Sequence, residues 1–376
     1  MRILYICNEY PPVPHGGIGS FTKLIAEKLA LNNHHVLVVG YGDKKTTYRE
    51  VLNGVQIVRL KNTNFNFGTI LNYLNMVISR VAFYNKILKY VAEFKPDLVE
   101  TYDWSAPLIF KPGKSPLVTR LHGSNTASNL YIGSKKTPLL YWLERKAIRQ
   151  SDYILSVSDH IAEITQKSFG IKFPHRTIYN GVDTTHFINK RSRRDLNRVL
   201  LVGRMHPYKG FDDLFKAMNY MFSNHPTLHF QIICTVIESY KNKLLTYVEA
   251  EFHYRIEFVG RIPNHVLVDY YNQANLSILP SRAEALGIIP LESMACGTPV
   301  IMSNRSAARE IIDDGIDGFF TETTNPEVLA NRILEILKDQ DRIELMREKS
   351  RTKILQKFSI EQILQDNINF YKSIIA

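Results

Sequence analysis

The sequence predicts an α/β protein built from two domains, each with a parallel β-sheet. Short apolar runs are followed by glycine-containing loops and then by segments in which apolar residues recur with helical spacing, an order typical of parallel sheets. This strand–loop–helix order occurs in both halves of the chain. The length of 376 residues is sufficient for two domains of ordinary size, each with its own hydrophobic core.

The composition is that of a water-soluble globular protein, with 45% hydrophobic and 22% charged residues. No apolar run reaches the roughly 18 residues that a membrane-spanning helix needs. The opening residues resemble a core strand and lack the pattern of a signal peptide, so we expect a cytoplasmic protein. Cys7, Cys234 and Cys296 are far apart in the sequence, which predicts buried thiols in a reducing compartment.

The net charge of +11 is concentrated in the first half of the chain. Residues 1–190 contain 24 Lys and Arg against 13 Asp and Glu, whereas residues 191–376 contain 23 of each sign. We therefore expect the first half to face an anionic partner, which is a membrane surface, a phosphate-bearing acceptor or a nucleic acid.

The first strand is predicted at residues 2–7, and a glycine loop follows it at residues 15–19. The helix after this loop has its apolar residues at helical spacing, and residues 35–40 form the next strand. Glycines at such a point let backbone N–H groups approach a phosphate, although turn flexibility alone also explains them.

Residues 54–60 predict another strand, residues 64–68 a loop and residues 69–94 a long helix. The helix contains many aromatic residues together with Lys86 and Lys89. It is interpreted as a helix with one core face and solvated lysines, and membrane contact through the outer face is the alternative.

Two further predicted strands end in polar residues: one leads to Asp103, and residues 117–121 lead to His122. If the sheet is parallel, both residues lie at the same edge as the glycine loop, where ligands bind in open α/β sheets. Residues 129–150 combine aromatic and basic residues, and residues 151–158 predict the strand that follows.

The second half begins after a basic, polar run at residues 189–198, which we interpret as a linker. The strand at residues 196–202 is followed by a loop, GRMHPYKG, that contains Arg204 and Lys209. Two cations five positions apart across a turn can clamp a diphosphate, whereas a basic surface turn is the alternative. Strands are also predicted at 229–235 and 255–260, and amphipathic helices at 325–357 and 359–375.

The chemistry is expected in residues 279–304, which predict a β-turn-α-turn-β order. The helix begins near Gly287, Ile288 and Ile289, whose N–H groups can bind an anion such as a diphosphate. Two carboxylates, Glu284 and Glu292, stand eight positions apart around this point. Because carboxylates repel a phosphate, we interpret them as acceptors of hydroxyl hydrogen bonds, Glu292 from a ribose and Glu284 from a hexose. The alternative is that Glu284 is a solvated turn residue and that Glu292 interacts with the helix dipole.

This spacing resembles the E-x7-E signature of the retaining glycosyltransferases of family 4. The flanking residues and the GRMHPYKG loop also match that family; the matching flanks are Pro280, Ser281, Gly287 and residues 294–300. Leu286 departs from the family, which usually has an aromatic residue there, and residues 234–237 replace a usual Gly-x-Gly. The second departure affects the shape of one wall of the expected cleft.

The resemblance implies the GT-B fold, with two Rossmann-like domains whose parallel sheets face each other across a cleft. The implied domains are residues 1–188 on the acceptor side, residues 189–358 on the nucleotide-sugar side and a helix at 359–376 that crosses back to the first domain. By resemblance, Gly17 approaches the donor diphosphate, Ile262 lies near the base and His122 lies beside the transferred sugar.

The implied activity is transfer of a sugar, with retention, from a nucleoside-diphosphate sugar to a glycan or lipid-linked acceptor in polysaccharide, lipopolysaccharide or glycolipid biosynthesis. Catalytic roles fall on Glu284, His122, Arg204 and Lys209, and no metal or other cofactor is expected because cations of the protein neutralise the diphosphate. The protein is expected in the cytoplasm, peripheral to the membrane if the basic domain binds it. A GT-B epimerase or phosphorylase and a nucleic-acid-binding protein are the alternatives, although no nucleic-acid-binding module is recognised.

Overall fold

The computed structural model of the chain describes residues 1–13, 16–61, 72–132, 137–191 and 193–375. His15 of the predicted glycine loop, the predicted loop at 64–68 and residues 69–71 of the predicted helix lie outside this range. The chain divides into two compact units. Unit 1 comprises Met1–Asn180 and Ile363–Ala376, and unit 2 comprises Gly181–Gln362.

Unit 1 contains an eight-stranded sheet in the order β3-β4-β2-β1-β5-β6-β7-β8. Its strands are β1 (Arg2–Ile6), β2 (His35–Tyr41), β3 (Tyr48–Leu52), β4 (Val55–Leu60), β5 (Leu98–Tyr102), β6 (Leu117–Leu121), β7 (Tyr153–Ser156) and β8 (Arg176–Thr177). All neighbours are parallel except β3, which pairs antiparallel with β4. The turn between β3 and β4 has positive φ at Asn53 and Gly54, as a tight hairpin requires.

The helices of unit 1 connect the strands of its sheet. They are α1 (Gly17–Leu31), α2 (Asn72–Phe94), α3 (Asn125–Ile132), α4 (Pro138–Arg149) and α5 (Asp159–Phe169). In α5 the Ser158 hydroxyl accepts a hydrogen bond from the Ile161 N–H at 3.2 Å, and Gly170 closes the helix at φ +59°. In α2, Phe83, Ile87, Tyr90 and Phe94 form the buried stripe that packs on the sheet.

Unit 2 contains a six-stranded, fully parallel sheet in the order β11-β10-β9-β12-β13-β14. Its strands are β9 (Asp195–Val202), β10 (His229–Ile233), β11 (Ile256–Phe258), β12 (Ala274–Leu279), β13 (Val300–Ser303) and β14 (Phe319–Thr321). Its helices are α6 (Phe211–Asn224), α7 (Glu238–Leu245), α8 (Asn264–Gln273), α9 (Ile289–Ala295), α10 (Ala308–Ile311), α11 (Pro326–Lys338) and α12 (Gln340–Lys353), with 3₁₀ turns at Pro207–Lys209 and Ala250–Arg255 and a π-helical stretch at Ile354–Phe358. The prediction of two parallel α/β domains is confirmed.

The last helix, α13 (Ile360–Ile375), contributes its residues from Ile363 onward to unit 1. Its buried Tyr371 donates a hydrogen bond to Glu100 Oε2 at 2.7 Å. The same Glu100 forms a buried ion pair with Arg120, Nε to Oε1 at 2.7 Å, and Arg120 also donates to Asn367 Oδ1 at 2.5 Å. The opposite charges of Glu100 on β5 and Arg120 on β6 therefore neutralise each other, and α13 supplies further hydrogen-bond partners to both.

The unit boundaries, at 180/181 and 362/363, differ from the predicted boundaries at 188/189 and 358/359. Residues 181–188 bond within unit 2: the Val182 N–H donates to Phe358 O at 3.0 Å, and Asn272 Nδ2 donates to Ile188 O at 2.9 Å. The run interpreted as a linker is also anchored there, because buried Arg194 donates to Thr298 Oγ1 at 2.7 Å.

Candidate active site

Two loops leave the carboxyl ends of adjacent central strands in unit 2. Strands β9 and β12 are neighbours in the sheet, with Leu200 paired to Ser277. The loop after β9 contains Arg204 and Lys209, and the turn after β12 contains Glu284. Adjacent parallel strands thus bring two segments that are far apart in the sequence to the same edge of the sheet.

The two loops are in direct backbone contact. Gly210 has φ +74°, and a Cβ at this position would lie 2.0 Å from Pro280 O. The Arg282 N–H donates to Tyr208 O at 2.8 Å. Arg282 also forms a two-pronged ion pair with buried Asp213, at 2.8 and 2.7 Å. These contacts fix the two loops relative to each other, and sequence reasoning missed both Asp213 and Arg282.

Lys209 and Glu284 form the central ion pair of this site. Lys209 Nζ lies 2.5 Å from Glu284 Oε2, and their side chains are only 11% and 14% exposed. An ammonium group has three N–H donors, so two remain for other acceptors. Arg204 is exposed, and its Nη2 donates to Tyr208 Oη at 2.8 Å. Arg204 and Lys209 thus lie in the same loop, and Lys209 is already bound to the Glu284 carboxylate.

Gly287 occupies a backbone conformation that other residues rarely adopt. Its φ is +83°, and a Cβ there would lie 3.2 Å from the Glu284 side chain and from Pro290. The chain then passes through Ile288 into α9, which begins at Ile289. Gly287 thus lets the Glu284 carboxylate pack against the turn that precedes the helix.

Glu292 lies in the first turn of α9 and is buried, with 8% of its surface exposed. The Tyr271 hydroxyl donates to Glu292 Oε2 at 3.1 Å. Burial raises the pKa of Glu292 to about 7, because the charged form loses its hydration, and the Tyr271 hydrogen bond opposes this shift only in part. Glu284 and Glu292 therefore occupy different environments, one ion-paired and the other buried.

In unit 1, His122 follows β6 directly and is held by its backbone. The N–H groups of His122 and Gly123 donate to the two carboxylate oxygens of Asp103, at 2.9 and 3.1 Å. The imidazole packs against Phe21 with ring centroids 5.9 Å apart. Burial and then the Arg120 charge lower the pKa of His122 to about 3, so the ring is neutral at physiological pH.

Two buried carboxylates shape the chain around His122. Asp103 is 1% exposed, and its pKa is raised to about 7 mainly by burial. Glu144 on α4 is fully buried and accepts from the N–H groups of Ser105, Asn125 and Thr126 at 3.0 to 3.1 Å. Sequence reasoning noted Asp103 only as a strand end and missed Glu144, because no local pattern marks a buried cap.

The remaining predicted residues lie in different units. Gly17 is the first residue of α1 in unit 1, where an added Cβ would meet nothing within 4 Å, and the preceding Gly16 N–H donates to Glu9 Oε2 at 2.9 Å. Ile262 lies in unit 2 between β11 and α8 and is partly buried. Within the described ranges, no cluster of three or more His, Cys, Asp or Glu has metal-binding geometry, and no helix has the length and apolarity to cross a membrane.

Family profiles and related proteins match almost the whole length of the chain. The profile of Glycosyltransferase Family 4 matches residues 15–186, and the profile of Glycosyl transferases group 1 matches residues 183–353. An uncharacterised glycosyltransferase of Methanocaldococcus jannaschii is 25% identical over 99% of this chain and 98% of its own length.

Solved structures share the architecture. Sucrose-phosphate synthase from Thermosynechococcus elongatus superposes with a TM-score of 0.83 at 19% identity, over 99% of this chain and 98% of its own. HepE from Anabaena, solved in complex with UDP-glucose, has a TM-score of 0.77 at 17% identity, over 99% of this chain and 100% of its own. The two matching profiles follow one another along almost the entire chain, and the two parallel-sheet units are those of GT-B enzymes. The chain therefore belongs to the family 4 glycosyltransferases of the GT-B fold.

Proposed function

We propose that this glycosyltransferase moves a sugar from a nucleoside-diphosphate sugar to a hydroxyl of a glycan or lipid-linked acceptor, with retention of anomeric configuration. The observation that carries the proposal is the fixed pair of loops in unit 2, where Lys209 and Glu284 meet at 2.5 Å. A cation and a hydroxyl acceptor side by side suit a donor that carries a diphosphate next to a sugar. The UDP-glucose bound by HepE supports this class of donor.

Arg204 and Lys209 stabilise the departing diphosphate in this proposal. The leaving group gains negative charge as the bond to the sugar breaks, and fixed cations close to it lower the barrier. Lys209 keeps Glu284 as one partner and has two N–H donors left for phosphate oxygens. The backbone N–H groups at Gly17 and at Gly287 to Ile289 add neutral donors.

The carboxylates and the imidazole orient the donor. Glu284 accepts hydrogen bonds from sugar hydroxyls, and Glu292 accepts them from the ribose. Neutral His122 contacts a hydroxyl near the reacting carbon, since a ring with a pKa of about 3 brings no charge to the site. Ile262 lies beside the base. These roles are those that the family resemblance implies, assigned to the residues at the positions described above.

The proton of the acceptor hydroxyl passes to the leaving phosphate, so no side chain is assigned as a general base. The positive charge of Arg204 and Lys209 takes the place of a divalent cation, and the proposal includes no metal. Turnover is accordingly expected to be unchanged by EDTA, and loss of activity that Mg²⁺ or Mn²⁺ restores would contradict this part.

The experiment that tests the proposal is a thermal-shift and slow-hydrolysis panel with UDP-, GDP- and ADP-sugars. The variants are Lys209→Ala and the control Lys349→Ala, which removes an exposed lysine from α12. We expect one donor to stabilise the wild type and the control, and to be hydrolysed slowly by both, while Lys209→Ala loses about 10²- to 10³-fold in rate. A folded wild type that binds no sugar nucleotide, or a Lys209→Ala variant with the rate of the wild type, would overturn it.

Retention is tested once the donor is known. NMR of the first product formed with a simple hydroxyl acceptor reports the configuration of the new linkage. The donor configuration is expected in the product, and the opposite anomer would refute the retaining mechanism.

A further inference from the structure

Unit 1 exposes a continuous aromatic and basic surface that the proposed chemistry does not use. Six residues define this aromatic–basic surface: Tyr84 and Leu88 on α2, Phe110 in the loop after β5, and Trp142, Lys146 and Arg149 on α4. The Tyr84 and Phe110 rings lie 5.4 Å apart, and Lys146 Nζ lies 4.2 Å from the Phe110 centroid and 5.1 Å from the Trp142 centroid. The contacts run without a break from one helix to the other.

Large apolar side chains on this surface face solvent. Trp142 is 52% exposed, Phe110 40% and Leu88 36%. Leu74, Ile78 and Val81 extend the exposed apolar stripe along α2 toward its N-terminal end, at the i, i+4 and i+7 positions of one helix face. This stripe is separate from the one that α2 buries on the sheet.

The charge of the surface has one sign on α4. Trp142, Lys146 and Arg149 follow each other at i, i+4 and i+7, so they share a face of the helix. The one acidic residue of α4, Glu144, is fully buried on backbone N–H groups and leaves the outer face positive. Lys111 next to Phe110 is paired with Asp152 at 2.7 Å, so it is not counted among the available cations.

We propose that the aromatic–basic surface docks this enzyme on an anionic membrane. Tryptophan and aromatic side chains favour the headgroup region, where an apolar ring and a polar edge are both satisfied. Lysine and arginine beside them are attracted to acidic lipids. The aliphatic stripe of α2 adds apolar area that enters the acyl boundary but has no role on a nucleic acid.

The surface lies beside the chain that holds His122. Glu144, on the inner face of α4, accepts from the N–H groups of Asn125 and Thr126, three and four residues after His122. Docking through the outer face of α4 thus brings this edge of unit 1 to the headgroups, where a lipid-linked acceptor resides. The inference deepens the proposed function, on whose lipid-linked acceptor it rests, but membrane binding itself is measured without any transfer.

The test is flotation of the full-length protein with phosphatidylcholine vesicles and with vesicles containing about a third phosphatidylglycerol. The surface variant is Trp142→Ser/Lys146→Gln/Arg149→Gln. The control is Tyr254→Ser/Lys338→Gln/Lys349→Gln, which removes one exposed aromatic residue and two exposed lysines from unit 2 and has the same net charge. Unchanged melting temperatures and unchanged hydrolysis of the soluble donor show that both variants are folded.

We expect the wild type and the control to bind only the anionic vesicles. The surface variant should bind at least about 25-fold more weakly, because each cation contributes about fivefold. The docking proposal would be overturned if both variants lost the same affinity for anionic vesicles or if the surface variant lost none. It would also be overturned if the wild type did not bind anionic vesicles, or bound RNA more tightly than those vesicles. A failure of the donor experiment alone leaves this result intact, so the two proposals fail separately.

Fluorescence locates the contact. The chain has two tryptophans, so Trp104→Phe leaves Trp142 as the one reporter. A blue shift on adding anionic vesicles, with quenching by bromine-labelled lipid, is expected if Trp142 enters the headgroup region. An unchanged spectrum at saturating lipid would contradict it.

Discussion

Replacement of Glu292 by Gln is expected to stabilise the protein at neutral to alkaline pH while weakening donor binding. Glu292 is buried in α9, and burial raises its pKa from the ordinary 4.5 to about 7. A carboxyl with a raised pKa binds its proton more tightly in the folded protein than in the unfolded chain. The contribution of Glu292 to the free energy of unfolding therefore falls as the pH rises from 4.5 to 7, and the full destabilisation is present above pH 7.

The size of this cost follows from the shift. One pKa unit corresponds to about 1.4 kcal/mol. The raised pKa of Glu292 therefore lowers the free energy of unfolding by about 3 kcal/mol at pH 8 and by about 1 kcal/mol at pH 5. Glutamine has nearly the same shape and keeps an oxygen for the Tyr271 hydroxyl, but it carries no charge to desolvate. For a domain of this size, about 3 kcal/mol raises the melting temperature by roughly 6–12 °C.

The assay is thermal unfolding of the wild type and Glu292→Gln between pH 5 and 8.5, plotted as the difference between them. Taking the difference removes the contribution of other titrating groups, Asp103 among them. Glu348→Gln, an exposed change on α12, is the matched control and should give a flat difference near zero. A pH-independent difference for Glu292→Gln, or a variant that is less stable at pH 8, would refute the burial argument.

The same variant tests the proposed role of Glu292. A hydroxyl bond to a carboxylate contributes about 1.5–3 kcal/mol, so donor affinity should fall about 10- to 100-fold at pH 8. In the wild type, donor affinity should rise as the pH increases through about 7 and the carboxylate forms. Isothermal titration with the donor checks both; equal affinities in wild type and variant would remove Glu292 from the donor site.

Three further outcomes are expected. Gly210→Ala should lower the free energy of unfolding by at least about 3 kcal/mol, because its Cβ would lie 2.0 Å from a backbone oxygen. Gly170→Ala, where φ is also positive but no atom lies within 4 Å, should lower it by only about 1 kcal/mol. Urea unfolding of the two variants measures this contrast, and equal losses would contradict the loop contact. Arg204→Ala should lower donor turnover about 10²-fold or more with little change in melting temperature, since the side chain is exposed, and steady-state rates near those of the wild type would remove it from the clamp. Tyr371→Phe should destabilise by about 1–3 kcal/mol, because buried Glu100 loses a 2.7 Å hydrogen bond, and chemical unfolding with no change would show that this bond has no net stabilising effect.

Local patterns in the sequence were sufficient to predict most strands and the turn around the E-x7-E signature. Buried parallel strands are continuous apolar runs, and glycine and proline mark the turns between them, so both signals are local. Strand β3 was missed although Asn53-Gly54 is a strong hairpin signal. Its residues are all exposed or partly exposed and two of the five are charged, so no continuous apolar run marks it.

The sequence could not reveal which side chains meet. Lys209 and Glu284 are 75 positions apart, and their contact depends on β9 and β12 being neighbours in the sheet. Asp213 and Glu144 are acidic residues on helices, which normally predict a solvated face, yet both are buried against donors supplied by other segments. Only tertiary structure provides those donors.

The structure also explains how two carboxylates can border the proposed diphosphate site. Glu284 is paired with Lys209 at 2.5 Å, so its negative charge is offset before any donor arrives. Glu292 is buried, and with a pKa of about 7 it is about half protonated near neutral pH. Neither residue therefore presents a full, uncompensated negative charge to a phosphate. The spacing of eight places one carboxylate in the turn beside the cation and the other inside the helix, and this difference in environment makes an acidic signature compatible with an anionic donor.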